Sequence, residues 1–155
     1  MTDDEKLKET LALYKSSTKG QVQFQEVDSG GVVHNVKYLF WLEWARAEYL
    51  RGLGISYTAE MFTKDYPLRV VHAGIDYFYP LQFGDKYEVF SRVFFVKNSS
   101  LGFENIVMDT KGNTVLFAKA ILVYFDTELN LPTRIPEHLR QLIKDFEGEN
   151  VQFID

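Results

Sequence analysis

Cysteine is absent from this 155-residue chain. That excludes disulfides, thiolate metal sites and a cysteine nucleophile. Basic runs are also missing, and the formal net charge is -5. A mildly acidic chain without a basic stripe is a poor match for nucleic acid. No apolar run approaches the roughly 20 residues that a membrane helix needs. The first residues, Met1 to Lys8, are mostly charged and lack the basic start and apolar stretch of a signal peptide. These absences lead to the expectation of a cytoplasmic protein with no membrane span. Aromatics, by contrast, are plentiful, with 13 Phe and 9 Tyr. Apolar residues make up 46% of the chain, ample for a core, and the length suits one domain over 1–155.

Residues 1–13 form an N-terminal extension, with Leu7 and Leu11 at i, i+4 on a charged segment. This predicts a short surface helix packed by one stripe. Val22 and Phe24 lie two apart, as in a strand with one buried face. Asp28-Ser29-Gly30-Gly31 reads as a turn. After it, 35–52 is the strongest helix candidate, with Tyr38-Leu39-Phe40-Trp41-Leu42 apolar on every side. Such a helix is expected to be buried all round. Glu43/Arg46 and Glu48/Arg51 stand at i, i+3 and are expected to pair.

Strand patterns dominate from residue 68 onward. Val71, Ala73, Ile75, Tyr77 and Tyr79 alternate along one face, and Tyr87, Val89, Val93 and Phe95 repeat the pattern. Leu101, Phe103 and Val107 follow, then a turn at Lys111-Gly112-Asn113. The stretch 114–125 is apolar on both faces, and its Ala118 and Ala120 are small, as if a helix lies close. The turn spacing suggests an antiparallel meander. A helix over 136–147 closes the chain, with Pro136 near its first turn. The expected architecture is α+β, with five antiparallel strands around one long helix.

The chemistry concentrates where a strand delivers Asp28 into a Gly-rich turn that opens the long helix. Helix N-termini carry unpaired N–H groups and partial positive charge, and can hold an oxyanion. A carboxylate seven residues earlier could face the same carbonyl. From spacing alone, Asp28 reads more readily as a turn or capping aspartate, since Asp favours turns.

The segment Asp28, Gly31, Val32, Val33, Tyr38, Glu43, Ala45 and Arg46 resembles the signature of the 4-hydroxybenzoyl-CoA thioesterase-like hotdog family, including its YbgC- and FadM-type branches. Tyr79-Pro80, Gly84-Asp85, Ser99-Ser100-Leu101-Gly102-Phe103 and Pro132-Thr133-Arg134-Ile135-Pro136 extend the likeness over about 17–145. The resemblance implies a hotdog fold and hydrolysis of acyl-CoA without a cofactor or metal. It places Asp28 as nucleophile or general base, both of which need an ionised carboxylate. It assigns the Asn35 backbone N–H to the thioester carbonyl and lets Gly31 bring the backbone close. Val33 and Tyr38 are implied substrate neighbours, and Lys97, Ser99 and Ser100 are candidates for coenzyme A.

Some YbgC-type members carry Tyr-His where this chain has His34-Asn35, so His34 stands one position early. It is either a substrate contact or a capping histidine. Glu43 is read as a structural partner of Arg46 rather than a base, and His72 as an ordinary strand residue. Three scattered histidines make no metal cluster. The alternatives are an acyl-carrier-protein thioesterase, a hotdog dehydratase or hydratase using His34, and a non-catalytic acyl-CoA-binding module. The family builds its sites between subunits, so a homodimer or homotetramer is expected.

Overall fold

The computed structural model describes residues 2–155, so Met1 of the N-terminal extension lies outside the described residues. Helix α1, Asp3–Leu11, starts on a capping box. The Thr2 hydroxyl accepts from the Glu5 N–H at 3.2 Å, and the Glu5 carboxylate accepts from the Thr2 N–H at 2.7 Å. Strand β1, Ser16–Gln21, follows, and then the long helix α2, Lys37–Gly52. The rest is β2 (Leu68–Tyr77), β3 (Lys86–Val96), β4 (Ser100–Asp109) and β5 (Thr114–Asp126). A short β6, Leu131–Pro132, pairs with β5; helix α3 spans Glu137–Glu147; and β7, Gln152–Phe153, runs parallel to β3.

The main strands lie in the order β1-β3-β4-β5-β2, all neighbours antiparallel. One face of the curled sheet receives α2. Trp41, Leu42 and Ala45 pack on Val89, Val107, Leu116 and Ala118. Further along, Tyr49 and Leu50 meet Val93, Phe103 and Leu122, and α3 adds Leu139 and Ile143. The small Ala118 does admit the helix closely, as its size suggested. On the other sheet face, Leu7, Leu11 and Tyr14 cover Ile106 and Met108. Strand β4 is thus buried on both faces, with odd and even residues turned to different helices.

This is the α+β, helix-wrapped antiparallel sheet that the resemblance implied, with four local differences. Phe24 is not a buried strand residue: β1 ends at Gln21, and Phe24 lies in a 3-10 turn, 76% exposed. The long helix starts at Lys37 rather than Asn35, because the His34 carbonyl already closes a turn on the Lys37 N–H. It is buried on one side only; Leu39, Phe40 and Trp44 remain exposed. Finally, β2 buries no continuous face, since it is one of the two outermost strands and a bulge lies at Val71. Among the described residues no helix is long and apolar enough to cross a membrane.

Candidate active site

A 3-10 turn over Phe24–Glu26 leads into a tight hairpin whose arms meet at Val27 and Val33. The Asp28 N–H donates to the Val32 carbonyl at 2.8 Å, and the Gly31 N–H returns to the Asp28 carbonyl at 3.0 Å. Gly31 closes this turn with φ 82°, a conformation that side chains disfavour. The Asp28 Oδ1 accepts from the Gly30 N–H at 2.8 Å. The carboxylate is exposed and has no ion pair among the described residues.

The outgoing arm is docked on the segment before β3. The Val33 N–H donates to the carbonyl of buried Leu81 at 2.8 Å, and Val32 bridges Gln82. Tyr79-Pro80 and Gly84-Asp85 therefore frame the hairpin. The backbone then turns into α2 through His34 and Asn35. The Val36 N–H donates to His34 Nδ1 at 3.3 Å, so the imidazole serves the start of the helix. The Asn35 N–H has no acceptor among the described residues, although its carbonyl accepts from the Tyr77 hydroxyl at 3.4 Å. A free donor at a helix start is placed to meet negative charge. Beside it lies a 290 Å³ cavity lined by Val33, Asn35, Tyr38, Tyr77 and Phe78. Burial raises the Tyr38 phenol above its usual pKa.

Glu26 ties this hairpin to α2, and sequence reading missed it. Its Oε2 accepts from Trp41 Nε1 at 2.6 Å, its Oε1 from the Gln23 N–H at 2.8 Å, and its carbonyl from the His34 N–H at 2.8 Å. The Trp41 ring stacks on Tyr87 at 3.8 Å. Burial, followed by the Glu26 charge, pushes the Tyr87 hydroxyl up to about 12. The backbone carbonyl of Glu26 holds His34, the residue before Asn35, while its side chain fixes the entry to the hairpin against α2 through Trp41. A hydrogen bond to a charged group contributes about 2 kcal/mol. Glu26→Ala is expected to lose that much stability and to slow turnover about tenfold by loosening the hairpin. Glu26→Gln, which keeps an acceptor for Trp41, is expected to recover most of both. Melting curves and rates on the two variants check this.

Other residues singled out in the sequence lie elsewhere. Lys97, Ser99 and Ser100 form the β3–β4 turn, at the opposite end of β3 from the Asp28 hairpin. Lys97 Nζ rests over the Phe95 ring at 5.4 Å, and the Ser99 carbonyl accepts from the Tyr124 N–H at 2.8 Å. One chain does not bring them to Asp28. The Glu48–Arg51 pair forms at 2.8 Å, whereas Glu43 and Arg46 do not pair. The rotation of α2 on the sheet buries Arg46 and leaves Glu43 exposed. His72 is an exposed residue of β2, as read. Among the described residues no group of three His, Cys, Asp or Glu could hold a metal ion.

The profile of the thioesterase-like superfamily matches residues 22–143. This chain belongs to the thioesterase-like superfamily. The matched span holds the hairpin, α2, all the strands from β2 to β6 and most of α3. Among superfamily members, the acyl-CoA thioesterase YbgC of Haemophilus influenzae is 32% identical over 100 residues, 64% of this chain and 71% of that protein. A chloroplastic acyl-acyl carrier protein thioesterase of Arabidopsis thaliana, ATL3, is 28% identical over 127 residues, 81% of this chain and 66% of that protein. A thioesterase from Thermus thermophilus, solved with coenzyme A and Zn, superposes with a TM-score of 0.77 at 25% identity, covering 88% of this chain and 96% of the other.

Proposed function

We propose that this superfamily member hydrolyses acyl-CoA thioesters, with Asp28 as the catalytic carboxylate. The observation that carries the reading is the unpartnered Asn35 N–H at the start of α2, adjoining the hairpin that presents Asp28. The thioester carbonyl oxygen accepts from that N–H, which stabilises the negative charge developing on it. Asp28 then acts in one of two ways. As nucleophile, it adds to the carbonyl carbon, the C–S bond breaks, coenzyme A leaves as thiolate, and water cleaves the mixed anhydride. As general base, it takes a proton from water, whose oxygen adds to the carbonyl before the same C–S bond breaks. Gly31 allows the backbone to approach, and Val33 and Tyr38 wall the acyl end.

His34 spends Nδ1 on the helix start, which favours hydrolysis over a dehydratase role. The plant relatives named for acyl carrier protein support a second reading, in which the same chemistry acts on carrier-protein thioesters. Hydrolysis measured over acyl-CoAs of graded length, an aromatic acyl-CoA and acyl carrier protein thioesters tests both. Silence across the whole panel, with acyl-CoA still bound, would instead mark a binding module.

The site is read as shared between copies. Among the described residues strand β2 has an unpaired outer edge, and Leu39, Phe40 and Trp44 leave apolar surface on α2. Exposed sheet edges and apolar patches are usually covered. A second copy would also supply a Lys97, Ser99 and Ser100 turn that one chain holds away from Asp28. Light scattering is expected to give two or four times the 18.0 kDa chain mass. A stable monomer at micromolar concentration would count against a shared site.

A further inference from the structure

The start of β3 and the turn between β4 and β5 meet at one end of the sheet, since Tyr87 pairs with Asp109 across the strands. A polar cavity of 200 Å³ opens there, and its walls include Tyr79, Pro80, Lys86 and Lys111. Tyr79 and Pro80 also line the cavity beside Asn35, so the two cavities are neighbours across one short wall. Gln82, which bridges Val32 of the Asp28 hairpin, lines the polar cavity as well.

Two carboxylates face the same cavity, Asp85 and Asp109, and both are committed to backbone turns. Asp85 Oδ2 accepts from the Gln82 N–H at 2.8 Å. Asp109 Oδ1 accepts from the Lys111 and Asn113 N–H groups at 2.9 and 2.8 Å, and its Oδ2 from Asn113 Nδ2 at 2.8 Å. Burial would raise the Asp109 carboxyl, but the bonds from Asn113 and Lys111, with the Lys111 charge, bring it below its usual pKa. The ammonium groups are not committed. Neither Lys86 nor Lys111 has a carboxylate within ion-pair distance, or a hydrogen-bond acceptor for its side chain, among the described residues. The Tyr79 and Thr110 hydroxyls of this cavity likewise donate no hydrogen bond among the described residues. A lysine ammonium carries three donors and binds phosphate as a point charge. In a chain of net charge -5, two unpaired lysines and two free hydroxyls at one cavity make a local place for an anion.

Resting on the thioesterase reading above, we infer that this cavity binds the phosphate at the far end of the substrate's pantetheine arm, through Lys86 and Lys111 of the chain that supplies Asn35. Distance separates this site from the Lys97 turn. The arm has about 13 bonds between sulfur and phosphorus, or ~15 Å when extended. Strand β3 has 11 residues, Lys86–Val96, and is about 35 Å long. An arm with its thioester at Asn35 does not span that length to Lys97 of its own chain. It has only to pass Tyr79 and Pro80 to reach Lys86. This phosphate is common to coenzyme A and to the arm of an acyl carrier protein, so the site reads the carrier and not the acyl group.

The test compares acyl-phosphopantetheine with acyl-pantetheine, which differ only in that phosphate. The wild-type protein is expected to favour the phosphorylated thioester at least tenfold in kcat/KM, about the size of one hydrogen bond to a charged group. The double variant Lys86→Gln, Lys111→Gln is expected to bring the ratio close to one, through KM and not kcat. Both side chains are exposed, so the variant is expected to fold. Lys97→Gln is expected to keep the wild-type ratio, since neither probe carries a nucleotide. A wild-type ratio near one overturns the inference while the thioesterase reading stands. So does a ratio that falls in Lys97→Gln but not in the double variant. Acyl-CoA and an acyl carrier protein thioester are then compared on the double variant. The carrier that loses rate is the one the site serves, and a loss on neither also overturns the inference. If no acyl thioester is hydrolysed, the parent reading fails, and calorimetric titration of phosphopantetheine and pantetheine decides the site by itself. Tighter binding of phosphopantetheine that is lost in the double variant upholds it, and equal binding of the two overturns it.

Discussion

Asp28→Asn is expected to reduce kcat by 10²- to 10⁴-fold, the usual contribution of a positioned acid or base, and by more if Asp28 is the nucleophile. The choice of asparagine is what makes the result informative. The structural role of Asp28 is to close a turn by accepting from the Gly30 N–H through Oδ1. An asparagine carbonyl makes the same bond, and asparagine is as common in turns as aspartate. The melting temperature is therefore expected to stay within about 2 °C of wild type, as for a surface change of under 0.5 kcal/mol. KM is expected to change little, because the Asn35 N–H and the cavity walled by Val33 and Tyr38 are untouched. A variant that keeps wild-type turnover would reduce Asp28 to a turn residue and move the search to another carboxylate.

Glu147→Ala is expected to cost about 3 kcal/mol, lowering the melting temperature by about 6 to 12 °C. Glu147 ends α3 and is 0% exposed. Its Oε2 accepts from the Tyr49 hydroxyl at 2.7 Å and from the Val93 N–H at 2.9 Å, linking α3 to both α2 and β3. Alanine leaves both buried donors without a partner, each at about 1–3 kcal/mol. A loss of less than about 1 kcal/mol by denaturation would show that water replaces the carboxylate.

The same residue sets a pH dependence. Oε1 has no partner among the described residues, and burial raises the Glu147 pKa despite the bonds from Tyr49 and Val93 and the charges of Arg92 and Lys15. The folded protein thus binds this proton more tightly than the unfolded chain. Its stabilising contribution is complete below about pH 4, near the unfolded carboxyl value, and is lost as pH rises through the folded pKa. Glu147→Gln cannot titrate. The melting temperature of wild type relative to Glu147→Gln is expected to fall as pH rises from about 4 to 8. A difference that stays flat or climbs would contradict the raised pKa.

Much of this was legible because it is local. The Asp28 to Gly31 turn needs residues that tolerate positive φ, and they are adjacent in the chain. The helix, the meander and the closing helix follow from periodicity and turn residues, which act over a few positions. Only a resemblance in order and spacing raised Asp28 above a turn aspartate, and that resemblance spans the region the superfamily profile matches.

Contacts between distant segments were not legible. Glu26 and Trp41 are fifteen positions apart, and nothing in either residue type announces the bond between them. Tyr49 and Glu147 are ninety-eight apart. The spacing of Glu43 and Arg46 permits an ion pair, but the rotation of α2 on the sheet turns one to solvent and packs the other inward. The all-round apolar run of α2 hid which side the sheet would take, and so which aromatics would be left exposed. By itself, then, the sequence determined the elements, their order and the turn that carries the carboxylate, since these depend on neighbours in the chain. Tertiary structure alone decided which strands became the edges, which donor at the helix start stayed free and which of Glu43 and Arg46 faced solvent. Those outcomes depend on how whole elements pack, and packing is set by surfaces that meet only once the chain has folded.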